Sequence, residues 1–325
     1  MNNSPVLVLG GSGFVGRHVC EQLVRAGYRV TVPTRRASRA ACVQTLPGLT
    51  VIEADVHDDA ALAGLMAGHA AVVNLIAVLH GDEARFERMH VQLPQRIACA
   101  MRQAGMARLV HVSALGADLQ GPSMYQRSKA HGEAVLQSAG LELTILRPSV
   151  IFGAEDKFLN LFADLQQILP FMPLAGSSTK FQPVWVNDVA AAIVRSLQGH
   201  STIGQTFEAT GPETFTLGEL VKHSGQWAGV KNGKGRPVIP LPRWVGWLQA
   251  LAMEMLPSEP LMSRDNLASM KVDNVASGQL PSLQALGITP AAMSAVAPTY
   301  LGHKGPRSRL EELRAQHMQA RQLRK

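Results

Sequence analysis

The sequence predicts an α/β chain built on a doubly wound parallel sheet, and three observations carry that prediction. A short, branched, uncharged run, Val6-Leu7-Val8-Leu9, is followed at once by Gly10, Gly11, Gly13 and Gly16. Apolar runs then alternate with stretches of helical periodicity as far as Leu146. The runs are apolar throughout instead of alternating with polar residues, as befits strands covered on both faces and joined by right-handed crossovers.

Val6 to Leu9 is the first predicted strand. Val15, Val19, Leu23 and Val24 then recur at helical spacing, and the helix stops near Gly27. The glycines therefore sit on a strand-to-helix turn. One lets the backbone turn sharply, a second lets the main chain approach a phosphate, and a third lets the helix pack on the strand. The helix N-terminus offers free N–H groups and partial positive charge to a pyrophosphate. Gly10, Ser12, Gly13, Phe14, Val15 and Gly16 are thus the candidate dinucleotide residues, the plain alternative being an ordinary tight turn.

The second strand, Val30-Thr31-Val32, ends in "VPTRR". An acidic residue here would bind a ribose 2′-OH, but Arg35 and Arg36 stand in its place. A guanidinium matches a 2′-phosphate bidentately, so the expected cofactor is NADP(H) over NAD(H); otherwise the arginines simply face water. Leu49 to Glu53 is the third strand. After it, Asp55 and Val56 fall where adenine edges lie in such a fold, while Asp58 or Asp59 suits the N-cap of a helix running to Ala67. The fourth strand, Ala71 to Leu75, puts Leu75, Ile76 and Ala77 beside ribose and pyrophosphate. Asn74 is expected to satisfy buried backbone groups there. Helical residues from Glu83 to Gln103 are interrupted at Pro94, which should kink or restart the helix.

Leu109 to Val112 is the fifth strand and ends at Ser113. The next helix, Tyr125 to Gln137, carries Tyr125 and Lys129 four residues apart on one face. Hydride transfer at a C–O carbon needs a matched proton movement on that oxygen. A tyrosine with its pKa lowered by a nearby ammonium supplies it, and a serine hydroxyl holds the oxygen. Ser113, Tyr125 and Lys129 are therefore the candidate catalytic residues, Lys129 also reaching the nicotinamide ribose. The alternative is an exposed Tyr and a solvated Lys. Leu143 to Leu146 is the sixth strand.

After Pro148 prolines punctuate shorter elements. We expect a nucleotide domain over residues 1–150, a smaller substrate lobe over 151–303 interleaved with late sheet strands, and a basic tail over 304–325. Thr216 and Glu219 have capping-box spacing and should open a helix. Trp244, Trp247, Leu248, Leu251 and Met255 form an apolar stripe, read first as packing between lobe and sheet. The sharper alternatives are a cleft for an apolar substrate or a membrane-facing patch spanning Trp244–Leu256.

With 46% hydrophobic and 17% charged residues, the composition fits a well-buried soluble core. No apolar window of membrane-spanning length exists, and "MNNSP" enters a strand at once, leaving no room for a signal peptide. Cys20, Cys42 and Cys99 lack any pairing pattern. They are read as small core residues of a reduced cytoplasmic chain with no metal site. Of the net charge of +7, the tail supplies +5 through seven basic and two acidic residues from Lys304 onward. The body is nearly neutral, which argues against a nucleic-acid partner. The tail is a solvated end or a contact for anionic lipid or an acidic partner at the inner face of the membrane.

The stretches "GGSGFVGRHV", "YQRSKAHGE", "LRPSVIFGAEDKFLN" and "PVWVNDVAAAI" resemble an atypical extended short-chain dehydrogenase/reductase. Within that superfamily they are similar to the NAD(P)H-binding accessory subunits of respiratory complex I and their stand-alone bacterial relatives. The resemblance implies a Rossmann domain binding NADPH, with Arg35 facing the 2′-phosphate and Pro148 to Ile151 passing the nicotinamide. Ser113, Tyr125 and Lys129 would hold the superfamily's catalytic positions. Two functions follow: an NADPH-dependent reductase of an apolar carbonyl or quinone-related substrate, or a holder of NADPH without turnover in a membrane-associated respiratory or quinone-pathway complex.

Overall fold

The computed structural model describes residues 4–255 and 262–302, so Leu256 and the basic tail from Lys304 lie outside the described residues. Strand β1 (Pro5–Leu9) leads into α1 (Phe14–Arg25), then β2 (Arg29–Thr34), the short α2 (Ala41–Gln44) and β3 (Leu49–Glu53). Next come α3 (Asp59–Met66), capped by the Asp58 carboxylate, β4 (Ala71–Asn74), α4 (Glu83–Glu87) and α5 (Leu93–Gln103). Then β5 (Arg108–Val112), α6 (Met124–Gln137) and β6 (Glu142–Pro148) complete the first half. The second half holds β7 (Ile151–Phe152), α7 (Leu159–Ile168), β8 (Met172–Ala175), β9 (Lys180–Phe181), β10 (Val184–Trp185), α8 (Val186–Gln198) and β11 (Thr206–Ala209). It ends with β12 (Phe215–Thr216), α9 (Leu217–Trp227), β13 (Val238–Leu241), α10 (Arg243–Glu254), α11 (Arg264–Ser269) and α12 (Met293–Leu301).

Seven strands form one sheet in the order β11-β6-β5-β4-β1-β2-β3, every pair parallel. This is the predicted doubly wound fold, with β11 joining the six strands of the first half as a late strand that returns to the sheet. β11 is only four residues long and follows a loop, so it leaves little periodic trace. The order reverses between β1 and β4, and a crevice opens outside the carboxyl ends of strands at such a point.

The pleat explains why the strands are apolar throughout. Val6 and Val8 of β1 point toward α1 and α8, joining Val19, Leu23, Val189 and Ile193. Leu7 and Leu9 point to the other face, among Leu62, Leu93, Ile97 and Met101. Each such fully buried aliphatic side chain contributes about 1.5–3 kcal/mol. A third cluster, with Phe152, Leu159, Leu174, Leu220 and Ala297, is the core of the smaller lobe.

Pro94 restarts the helix, as expected: it sits in the first turn of α5, and the turn before it, Arg88–Gln92, widens to a π-helix, whereas two other expectations need correction. Proline has no N–H to offer the preceding turn, and the wider turn accommodates that loss. Cys42 and Cys99 are exposed, and only Cys20 is a core residue. The tryptophan stripe is not packing between lobe and sheet. Helix α10 buries Gly246 and Ala250, and Gly246 lies so close to Ala175 that a β-carbon there would come within 2.3 Å of it. The small residues take the inward face, leaving Trp244 69%, Leu248 51% and Met255 80% exposed.

Candidate functional site

The glycine turn is built as a cradle. Gly10 has φ +84°, open to glycine at little cost, and a β-carbon on it would press against Leu75 and Ile76 of the β4 loop. At Gly16 a β-carbon would lie 2.2 Å from the Gly10 carbonyl oxygen, so α1 starts directly against the turn. Gly13 is the N-cap of α1 with no side-chain cap, and the first turn carries no acidic residue. Backbone N–H groups and the helix dipole thus face an open rim at the carboxyl end of β1, which fits a pyrophosphate.

The parallel sheet brings the other predicted residues to that same edge, because each follows the carboxyl end of a strand. Leu75, Ile76 and Ala77 follow β4, Ser113 follows β5, and Pro148 ends β6 with Ile151 just beyond. Arg35 and Arg36 follow β2 and are exposed, with no carboxylate partner among the described residues. Arg39, one turn further on, is a third exposed cation in that group, not marked by the strand-end pattern of the sequence. Asp55 is exposed after β3 and accepts a hydrogen bond from the His57 N–H (3.0 Å), while Val56 packs partly against the core.

Helix α6 is held by three devices, two of them at its start. Ser123 and Gln126 form a capping box, and Asp265 of α11 accepts hydrogen bonds from the Met124 N–H (2.6 Å) and Tyr125 N–H (3.1 Å). At Gly132 a β-carbon would collide with the His90 carbonyl oxygen, so the π-turn lies directly on the helix. Asp265 is a residue that sequence reading missed; its one signal is the capping box at Ser263–Asn266, 140 residues away.

Lys129 is 2% exposed, and its Nζ donates to the Val112 carbonyl (3.0 Å). Burial pushes its ammonium down to about 8, opposed by the charge of Glu133. Glu133 is itself bound to Arg147, with Nε–Oε1 at 2.9 Å and Nη2–Oε2 at 2.5 Å. Tyr125 does not have the lowered pKa expected from a neighbouring ammonium: burial pushes its phenol up to about 12. The Ser113 hydroxyl is buried and has no hydrogen-bond partner, poised at the strand end.

Two buried histidines complete this region, neither visible as site residues in the sequence. His90 Nε2 accepts from the Val78 N–H (3.1 Å), so Nδ1 carries the proton and donates to Ser128 Oγ (2.9 Å), which donates to the Tyr125 carbonyl (3.0 Å). The His90 ring meets the Tyr125 ring edge-on, with centroids 5.5 Å apart. His111 Nδ1 accepts from Asn74 Nδ2 (3.1 Å), and Asn74 Oδ1 accepts from the Ile76 N–H (3.2 Å), which ties the cofactor loop to β5. Burial first, and then the Lys129 charge, push His90 down to about 3 and His111 well below its usual range. One cation is thus kept in a pocket of neutral imidazoles. Among the described residues no group of side chains is arranged to hold a metal ion.

Residues 10–199 match the NAD(P)H-binding family. The chain belongs to the NAD(P)H-binding atypical short-chain dehydrogenase/reductases. It is 35% identical over 301 residues to the mouse mitochondrial NADH dehydrogenase (ubiquinone) 1 alpha subcomplex subunit 9, covering 88% of this chain and 76% of that one. It is 30% identical over 191 residues to a ceramide reductase of Caulobacter vibrioides, covering 58% and 59% of the two chains. Among solved structures it is similar to the Escherichia coli NADPH-dependent quinone oxidoreductase QOR2 complexed with NADPH. That likeness has a TM-score of 0.73 at 20% identity, covers 91% and 99% of the chains, and bears on the fold alone.

Proposed function

We propose that this protein is an NADPH-holding accessory or assembly component of a membrane-associated respiratory or quinone-pathway complex, in which the bound nucleotide stabilises structure and is not turned over. The observation that carries this reading is the state of the Tyr125–Lys129 pair. The Lys129 amine is engaged by the Val112 carbonyl (3.0 Å), and burial pushes the Tyr125 phenol up to about 12. The 35% identity to a complex I subunit across 88% of the chain supports it. Arg35 and Arg36, exposed and without carboxylate partners at the end of β2, favour NADPH over NADH. Gly10, Ser12, Gly13, Phe14, Val15 and Gly16 would hold the pyrophosphate. Asp55 and Val56 would flank the adenine, Leu75 to Ala77 the ribose, and Pro148 and Ile151 the nicotinamide. We read residues 1–150 as the nucleotide domain and 151–303 as the lobe, although α8 and β11 return to the sheet. Attachment would be peripheral, since no helix among the described residues is long and apolar enough to cross a membrane.

A second reading, reduction of an apolar carbonyl or quinone-related substrate, is favoured by the unpartnered Ser113 hydroxyl and by the likeness to a ceramide reductase. NADPH supplies a hydride when bound. Ser113 would hold the substrate oxygen, Tyr125, fully protonated at neutral pH, would donate a proton to it, and Lys129 would hold the ribose. Tyr125→Phe separates the two. We expect the variant to bind NADPH as the wild type does and to complement a deletion strain fully, while the wild type oxidises no NADPH with a panel of quinones and apolar ketones. Wild-type NADPH oxidation that falls about 100-fold or more in Tyr125→Phe would overturn the accessory reading.

A further inference from the structure

We infer that the smaller lobe carries a headgroup site for an anionic phospholipid bilayer, formed by Lys222, Lys234 and Arg236 beside an apolar face made by β8, β13 and α10. The inference rests on the peripheral-membrane reading above and locates it on a surface that the nucleotide site does not use.

An open cavity of about 500 Å³ lies between the start of α9 and the loop that leads into β13, lined by Thr216, Lys222, Lys234, Arg236 and Pro240. Arg236 is held in place from within the lobe. Its backbone N–H donates to Gln166 Oε1 (2.9 Å) and its Nε to the Gln166 carbonyl (3.0 Å), and Gln166 is fully buried. Arg236 also lines the cavity. Lys222 and Lys234 are exposed and have no carboxylate partner among the described residues. Glu219 also lines the cavity, but its carboxylate accepts from the Thr216 N–H (2.7 Å) and Oγ1 (2.9 Å) as the cap of α9.

The loop that presents these cations is held in a costly conformation. Lys231 and Asn232 both have positive φ, 51° and 57°, and Gly233 and Gly235 follow at 78° and 70°. Consecutive left-handed residues that include a lysine persist only where the surroundings enforce them, and such strain gathers at binding sites.

The cavity is lined in part by β13, a strand of the apolar face. Pro240 lines the cavity, and α10 begins three residues later. In the β8–β13 ribbon Ile239 pairs with Pro173, which puts Phe171 and Ile239 on one face; they are 45% and 45% exposed. Met172 and Leu174, on the other face, are buried in the lobe core. Ile168, Trp244, Trp247 and Leu248 are further exposed apolar residues of the lobe. The charges of α10 are Arg243 and Glu254. Glu254 is spent on Arg264 (2.8 Å), whose guanidinium lies 5.6 Å from the Trp247 ring.

A bilayer surface is the occupant that this combination fits. Exposed tryptophans beside aliphatic side chains suit the boundary between headgroups and acyl chains. Unpaired cations at its edge suit anionic headgroups, and the tail from Lys304 to Lys325 has the same sign.

The test uses the full chain and sedimentation with vesicles of phosphatidylcholine alone or mixed with phosphatidylglycerol. We expect the wild type to bind the mixed vesicles, to release at high salt, and to bind phosphatidylcholine weakly. Lys222→Gln/Lys234→Gln changes two exposed side chains and should keep the wild-type melting temperature. Its partitioning onto mixed vesicles should fall by roughly 30-fold, since each cation near such a surface is worth about 1 kcal/mol, a factor of about five. Trp244→Ser/Trp247→Ser should bind mixed vesicles more weakly as well. If the wild type binds neither vesicle, the peripheral reading fails and this inference with it. If the wild type binds mixed vesicles and the lysine variant binds them equally well, the peripheral reading stands and the headgroup site is overturned. Weakened binding to phosphatidylcholine and mixed vesicles by the same factor would also overturn it.

Discussion

Gly16→Ala tests the cradle most directly. The added methyl would sit 2.2 Å from the Gly10 oxygen and 2.6 Å from the Gly11 α-carbon, so turn and helix must separate by roughly 1 Å to restore contact distance. Overpacking of this kind costs about 1–3 kcal/mol. The turn resists the movement because the Gly13 N–H donates to the Gly10 oxygen (3.0 Å) and the Gly11 N–H to the Val8 oxygen (3.2 Å). Losing one of those bonds adds about 1 kcal/mol. The helix preference for alanine over glycine returns only about 0.5–1 kcal/mol. The net is a loss of about 1–3 kcal/mol, which in a chain of this size lowers the melting temperature by roughly 2–5 °C. NADPH affinity should fall by more, at least about ten-fold, because the displaced N–H groups are the ones that would meet the pyrophosphate. The assay is thermal denaturation with and without NADPH, together with calorimetric titration. Gly64→Ala is the matched control: it lies within α3 with no atom within 4 Å of a new β-carbon, so it should stabilise by about 0.5–1 kcal/mol. A Gly16→Ala protein with wild-type melting temperature and wild-type NADPH affinity would refute the reasoning.

Other outcomes follow from the same structure. Arg35→Ala should cut the preference for NADPH over NADH by about 1–3 kcal/mol, the scale of a charged hydrogen bond; equal calorimetric affinities of the wild type for both cofactors would show that the arginines only face solvent. Acid should destabilise the fold through His90. Its folded-state pKa is depressed to about 3, so between there and 6.5 the unfolded chain binds the extra proton; the stabilisation is complete above pH 6.5 and lost as pH falls, at up to about 1.4 kcal/mol per unit. Urea denaturation at pH 6.5 and 5.5 should therefore show a smaller loss for His90→Gln than for the wild type, with part of the slope surviving through His111. Identical losses would mean that His90 is not held neutral.

The first half of the fold was legible because its signals are local. A buried parallel strand needs a continuous apolar run, a helix needs its 3.6-residue stripe, and Gly10 and Gly16 mark a turn where backbone meets backbone too closely for a side chain. Parallel pairing then puts every strand-end loop on one edge, which is why residues as distant as Ser12, Ile76, Ser113 and Pro148 were nameable as one site. The sequence also determined that Tyr125 and Lys129 share a helix face, since four residues is one turn. Only the tertiary structure decided what that pair is. Depth of burial, the Val112 carbonyl and two imidazoles brought from the π-turn and β5 set its charge state, and desolvation depends on what packs around a group, not on its neighbours in sequence. The same holds for α10. Its apolar stripe reads as core in one dimension, but Gly246 and Ala250 allow the closer approach to β8, and that contact turns the tryptophans outward.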